Sequence, residues 1–270
     1  GVAVNMRNRK GETALMAAVE HGSPVLIPLL ISQCADIDIR DNNGATALVR
    51  AALKGSTGAV KMLLDAGARW DSQHPVEIEA FTSVCQCDFT FVKTFATDSD
   101  DDEEEDDTEE TYAPANADKG DPVQLIELLI AAKADVNPKP LYRRAPLIAA
   151  AARPRALRVL LNAGADVDTR GVNGETALCT ASFEGAHDSV KLLLDAKANV
   201  DAMDFRNATA LKHAVEKGDV DMVRLLVAAG ADVEVGYSPN TSPLSTALDI
   251  GDHDMVRVLL DFKADVTKLS

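Results

Sequence analysis

Aromatic residues make up only 4% of this 270-residue chain, with a single tryptophan. So few rings point to thin layers filled by Ala, Leu and Val rather than to a deep core. Cysteine is equally rare: Cys34, Cys85, Cys87 and Cys179 lack zinc-ligand spacing and read as reduced packing residues, not as a disulfide framework. No run of about 18 apolar residues occurs, so no membrane insertion is expected. A Gly-rich phosphate loop is also missing. His21, His74, His187, His213 and His253 are scattered, none with a partner at metal-ligand or triad spacing. These absences argue against an enzyme and leave no cofactor or metal to assign. The opening Gly1-Val2, without Met or a secretory signal, leads us to expect an excised fragment.

What the chain does have is repetition. Ala35-Asp36-Ile37-Asp38 returns as Ala68-Arg69-Trp70-Asp71, Ala134-Asp135-Val136-Asn137, Ala165-Asp166-Val167-Asp168, Ala198-Asn199-Val200-Asp201, Ala231-Asp232-Val233-Glu234 and Ala264-Asp265-Val266-Thr267. The leading alanines are 33, 66, 31, 33, 33 and 33 residues apart. Such a period marks a stacked solenoid, whose units bury their apolar faces only against neighbours. A solenoid grows linearly, so this length needs no single large core.

Local punctuation has the same period. Thr13, Thr46, Thr176, Thr209 and Ser242 each stand where a hydroxyl caps a helix start, and Pro146 and Pro243 suit the first helical position. About nine residues on come Gly22, Gly55, Gly120, Gly185, Gly218 and Gly251, suited to a left-handed helix end. A second apolar run follows, carrying Leu pairs such as Leu63-Leu64 and Leu193-Leu194. Each unit reads as helix, tight turn, helix, polar loop.

Gly174-Glu175-Thr176-Ala177-Leu178, then Ala181, Gly185, Val190-Lys191-Leu192-Leu193-Leu194 and Ala198-Asn199-Val200-Asp201, resemble the ankyrin repeat family position by position. The resemblance covers roughly residues 5 to 71 and 120 to 270, with several features in phase over several units. It implies an all-α solenoid of about seven to eight helix-turn-helix repeats, with β-hairpin-like finger loops beside a concave groove that binds partners. Two departures bear on stability. The family's His in its Thr-Pro-Leu-His tetrapeptide is replaced by Met16, Val49, Ile148, Cys179, Lys212 and Ser245, which predicts a missing hydrogen bond at every helix start. Cys34, Lys133, Lys197 and Lys263 stand where Gly67, Gly164 and Gly230 end other helices, at about 1 kcal/mol each if left-handed.

The organisation is therefore repeats over 1–71, a degenerate region over 72–119, and repeats again over 120–270. The 66-residue step keeps the register of two repeats. Residues 77 to 95 read as a worn repeat with Phe81, Val84, Cys85 and Val92 buried, followed by a worn first helix from Thr111 to Lys119; alternatively, a single repeat carries an insertion between its helices. The first reading is preferred on length, although Pro114 is a poor helix-interior residue.

Residues 98–110 hold 11 carboxylates among 13 positions and no base, and without them the formal charge of −16 would be −5. This acidic loop should be extended and mobile, serving as a solubilising linker, a docking strip for a basic protein, or a partner for the chain's own bases. From Lys133 to Arg170, eight bases stand against three acids, with Arg143 and Arg144 in a finger. Nucleic acid is not expected as a partner, since the chain as a whole repels phosphate and the basic cluster lacks interleaved aromatics. Ser99, followed by Asp100 to Glu103, resembles substrates of acidophilic kinases of the casein kinase 2 type, and Thr108 is a second candidate.

Recognition is left as the function. The expected contact positions are the finger tips Arg40, Asn42, Asn43, Arg143, Arg144, Val172, Asn173, Met203, Phe205, Arg206 and Tyr237, with Phe183 on the inward face of a first helix. Trp70, in the place of Val136 and Val167, is expected to plug the start of the degenerate region. The chain reads as a non-catalytic scaffold or adaptor for a protein or peptide partner, a monomer as a fragment, in the cytoplasm or nucleus. Its rivals are a substrate-choosing segment of a larger enzyme and an acidic-loop chaperone for basic cargo. Apolar Met6, Val19, Ile250 and Phe262 near the ends, where a polar cap belongs, predict flanking repeats.

Overall fold

The computed structural model describes residues 4–86, 120–139, 145–235 and 242–268. The acid run with Ser99 and Thr108, the finger residues Arg143 and Arg144, and Tyr237 lie outside them. The described residues form fourteen α-helices and a closing 3-10 turn, Val266–Lys268, with no strand among them.

The helices fall into two compact units. One comprises Gly1–Trp70 with Cys87–Leu128, the other Asp71–Gln86 with Leu129–Ser270. In the first, α1 (Ala14–Glu20) packs on α2 (Leu26–Ser32) and α3 (Ala47–Leu53), and α3 packs on α4 (Thr57–Asp65). Helix α6 (Pro122–Ala131) begins in this unit. The second unit repeats the plan with α5 (Pro75–Gln86), α7 (Pro146–Ala149), α8 (Pro154–Asn162), α9 (Ala177–Glu184), α10 (His187–Asp195), α11 (Ala210–Glu216), α12 (Val220–Ala228), α13 (Pro243–Ile250) and α14 (His253–Asp261). First helices stack on first helices: α5 on α7, α7 on α9, α9 on α11 and α11 on α13. Helix α5 packs directly on α7; Val92 and the stretch from Thr111 to Lys119, on which the reading of the degenerate region turns, lie outside the described residues.

Sequence punctuation produces this order. Thr13, Thr46, Thr176, Thr209 and Ser242 each accept a hydrogen bond from the backbone N–H three residues on, satisfying an orphan donor of the first turn. The expected loss at the tetrapeptide's last position is not universal. Ser245 Oγ accepts from Ser242 N–H at 2.9 Å to close a capping box, and Cys179 Sγ reaches Ala202 O at 3.4 Å. Gly22, Gly55, Gly185, Gly218 and Gly251 all have positive φ, between 63° and 77°. Gly120 instead joins the loop before α6, donating to Gly55 O at 3.3 Å.

The buried set is small and aliphatic, led by Leu15, Leu48, Leu63, Leu147, Leu157, Leu178, Leu193 and Leu226. Burying each such side chain contributes about 1.5–3 kcal/mol, and because repeats contact only neighbours these contributions accumulate along the stack. Trp70 is also buried, and α5 hides Phe81, Val84 and Cys85 as expected. At the ends, periodic positions lose their cover. Leu248 is half exposed in the place of buried Val215, as is Leu26 in the place of buried Ala59. Met6 and Ile250 are exposed, whereas Val19 is buried.

Within each unit, side chains link successive loops. Asn5, Asp38, Asp168, Asp201 and Glu234 accept from the backbone N–H of Asp36, Arg69, Asn199, Asp232 and Asp265, each 31 residues further on. Asn137 does the same for Asp166 N–H at 2.7 Å, across 29 residues.

Candidate partner-binding surface

Each finger closes on itself before it meets its neighbour. In the finger at 204–208, Asp204 N–H donates to Ala208 O and Asn207 N–H to Asp204 O, while Asp204 Oδ1 accepts from Arg206 N–H and Ala208 N–H at 2.8 Å. The finger at 171–175 has the same backbone pair, Gly171 N–H to Glu175 O and Gly174 N–H to Gly171 O. Finger to finger, Phe205 N–H donates to Asn173 O at 2.9 Å, and Arg170 Nη1 donates to Gly174 O at 3.1 Å and Met203 O at 2.7 Å. One guanidinium therefore joins two loops. The Phe205 ring lies over Gly174, whose φ is +75°; a Cβ there would come within 2.6 Å of the ring, so the close approach requires glycine.

Phe205 remains 75% exposed even so. Val172, Asn173, Met203 and Arg206 are exposed beside it, so five of the expected contact residues share two bonded fingers. On the inward side of α9, Phe183 is 50% exposed. Its ring meets His213 of α11 edge-on, centroids 5.5 Å apart, and Lys217 Nζ sits over the ring at 4.5 Å. Burial pushes the His213 pKa down, against the opposing pull of Glu216 and Asp204.

In the first unit the fingers are bound more by charge. Arg40 Nη1 donates to Gly44 O at 2.7 Å within its own finger. Asn42 reaches back to the previous finger, N–H to Lys10 O and Nδ2 to Arg9 O, while Asn43 N–H donates to Asp41 Oδ1 at 2.8 Å. Arg40, half-buried, thus braces its own finger, while the exposed Asn42 holds two fingers together. Arg50 of α3, unremarked in the sequence, is the organiser here. It pairs with the buried Asp41 at 2.6 Å and with Glu12 at 2.9 Å, and its outer edge lies 3.9 Å from Glu20. Burial alone would lower its pKa; the bonds to Asp41 and Glu12 outweigh that and raise it. Glu12, held by Asn8 and then by Arg50, titrates below the usual carboxylate range. No periodic signal announces Arg50, because its counterparts Ala17, Ala149, Thr180 and His213 carry unrelated chemistry.

Among the described residues no group of three or more His, Cys, Asp or Glu is placed to hold a metal ion. No helix there is long and apolar enough to cross a membrane. The Cys179 thiol is buried and its pKa raised for that reason. Paired helices with bonded fingers, presenting rigid side chains, define a repeat solenoid of the recognition class. The chain belongs to the ankyrin repeat family, whose profile matches residues 1–74, 112–204 and 197–269. The crystal structure of the human ASB11 ankyrin repeat domain has the same fold, with a TM-score of 0.67 and 19% identity over 94% of this chain and 99% of that one. No curated protein sequence matches. Ankyrin repeats are generally protein–protein interaction modules, and the fold is typically non-catalytic.

Proposed function

We propose that this chain is a non-catalytic interaction scaffold that holds a protein segment across the fingers at 170–175 and 203–207 and the inward faces of α9 and α11. The observation that carries the reading is the exposure of Phe205 in a loop fixed by backbone hydrogen bonds and backed by Gly174. A large apolar ring held still in water is pre-organised to anchor a partner, since little conformational entropy is lost when it is covered. Phe183, with a cation over one face and an imidazole at its edge, offers a second anchor. The test is a crosslinking pull-down from native lysate, followed by quantitative retention of the captured partner. Phe205→Ala with Arg206→Ala is expected to weaken retention by about 2 kcal/mol, roughly thirtyfold, with unchanged helicity. Equal retention by wild type and double variant would sink the finger-tip reading.

A second reading rests on the acid run. Its 11 carboxylates suit a basic cargo, and phosphorylation of Ser99 or Thr108 would add roughly −1.5 to −2 charges each. Mass spectrometry of the native protein, with salt-titrated binding of Ser99→Ala and Ser99→Asp to a basic peptide, tests it. An unmodified Ser99 and superimposable curves would return the run to a solvated linker.

A further inference from the structure

Three of the fingers carry the same brace. The arginine six residues before the capping threonine turns its guanidinium onto the glycine carbonyl of its own loop: Arg7 Nε donates to Gly11 O at 3.0 Å, Arg40 Nη1 to Gly44 O at 2.7 Å and Arg170 Nη1 to Gly174 O at 3.1 Å. Arg7 also reaches the next finger, donating through Nη2 to Asn42 Oδ1 at 3.3 Å. These arginines have a structural use, as charge-assisted bonds that fix the loops.

Arg9 and Lys10 have none. They form the tip of the first finger, in the places that Asn42 and Asn43, Val172 and Asn173, and Phe205 and Arg206 take in others. Backbone groups hold this tip: Asn8 Oδ1 accepts from Lys10 N–H and Glu12 N–H at 2.9 Å, Arg9 O accepts from Asn42 Nδ2 at 3.0 Å, and Lys10 O accepts from Asn42 N–H at 3.1 Å. Both side chains are exposed, and among the described residues neither enters a hydrogen bond or an ion pair. The nearby carboxylates are turned elsewhere. Asp41 is buried against Arg50, Glu12 is held by Asn8 and Arg50, and Asp36 and Asp38 each accept a backbone N–H of a loop. Lys10 acts on Glu12 only at a distance, behind Asn8 and Arg50 in effect. The neighbouring finger closes in the same way with two asparagines at its tip, so closure does not require the cations. Their backbone is fixed and their charge is unspent, which pre-organises them for an outside carboxylate.

We propose that the tip of the first finger, Arg9 and Lys10, is a docking surface for an acidic segment of a partner protein that sets two adjacent carboxylates over the two bases. Charge complementarity selects the occupant. Residues 1–70 hold eight bases and six acids in a chain of formal charge −16, so an acidic segment approaching this part of the chain is not repelled locally. The Arg9 fork takes one carboxylate bidentately, and Lys10 takes the next as a point charge. A long phosphate polymer would meet the chain's remaining negative charge over most of its length, whereas a short acidic peptide covers the tip alone. The surface belongs to the first unit and does not rest on the apolar fingers at 170–175 and 203–207, so either can fail without the other.

Fluorescence anisotropy of a labelled peptide containing four consecutive glutamates, measured on the whole chain at low and raised salt, tests the assignment. Wild type should bind at low salt and lose affinity as salt rises. Arg9→Glu with Lys10→Glu should weaken binding by roughly tenfold or more at an unchanged melting temperature, because the backbone bonds that hold the tip are kept. The neutral pair Arg9→Asn with Lys10→Asn, which copies the tip of the next finger, should weaken it by about threefold or more. The control Arg224→Glu with Arg257→Glu makes the same change of net charge on α12 and α14 and should alter binding by less than about twofold. Failure of wild type to bind, undiminished binding by the asparagine pair, equal loss in the control, or equally tight binding of an oligophosphate of the same charge would overturn the proposal. Binding seen only after deletion of residues 98–110 would also overturn it, assigning the tip to the chain's own acid run.

Discussion

The left-handed helix ends make a quantitative prediction. Lys133, Lys197 and Lys263 have φ of 69°, 68° and 63°, where Gly164 and Gly230 hold the same position at 85° and 97°. The conformation is imposed by hydrogen bonds. Each lysine N–H donates to the carbonyl three residues back, and the following alanine N–H to the carbonyl five back, as in Ala198 N–H to Leu193 O at 3.0 Å. An L side chain held there costs about 1–2 kcal/mol. Glycine returns about half of that through unfolded-state entropy, and loss of the cation near the helix C-terminus removes about another 0.3 kcal/mol. The net gain is therefore about 0.5 kcal/mol per site. All three side chains are exposed, so no packing is lost, and the sites are two repeats apart, so the gains add. Lys133→Gly, Lys197→Gly and Lys263→Gly together should stabilise the chain by about 1.5 kcal/mol, or raise its melting temperature by roughly 3–6 °C. Urea titration followed by far-ultraviolet circular dichroism reads the change. The matching triple alanine variant removes the same charges but keeps every Cβ, and should gain nothing. Coincident glycine and alanine curves, or a glycine triple weaker than wild type, would refute left-handed strain as the cause.

Arg50→Met should cost about 3 kcal/mol by stranding the buried Asp41 carboxylate, and adding Asp41→Asn should recover part of the loss in a double-mutant cycle. Acid should destabilise the chain through two identifiable groups. Glu12 and His213 both have folded pKa values below their ordinary 4.5 and 6.5, so the unfolded chain takes up more protons as pH falls. The His213 penalty begins below about pH 6.5, and the Glu12 contribution, fully present above about pH 4.5, is lost as pH drops through its folded value. Urea midpoints across this range should fall in wild type, with the upper part of the fall removed by His213→Gln; a midpoint rising on acidification would contradict both assignments.

Periodic features were legible in the sequence because each is stated several times. The hydroxyl caps, the Pro at N1 of α7 and α13, the strained lysines and the exposed Phe205 and Phe183 all followed from comparing one unit with another. Features stated once were not. Arg50 has no counterpart in neighbouring repeats, and its partners Asp41 and Glu12 stand 9 and 38 residues before it, at no repeat spacing. Arg170 belongs to the basic stretch of the sequence, yet its guanidinium donates to two finger carbonyls.

The loop-to-loop bonds also say where this chain tolerates changes of length. Five of the six links span 31 residues, and the link from Asp166 to Asn137 spans 29 yet is as short as any of them. Two residues have been dropped from that unit without losing the bond. The shortening must fall between the two bonded positions, in a stretch that need not hold register, while the helices on either side keep their phase. Insertions and deletions confined to such stretches leave the stack intact, whereas a single residue added inside a helix would turn every later side chain on that helix by about 100° and expose what its neighbours were built to cover.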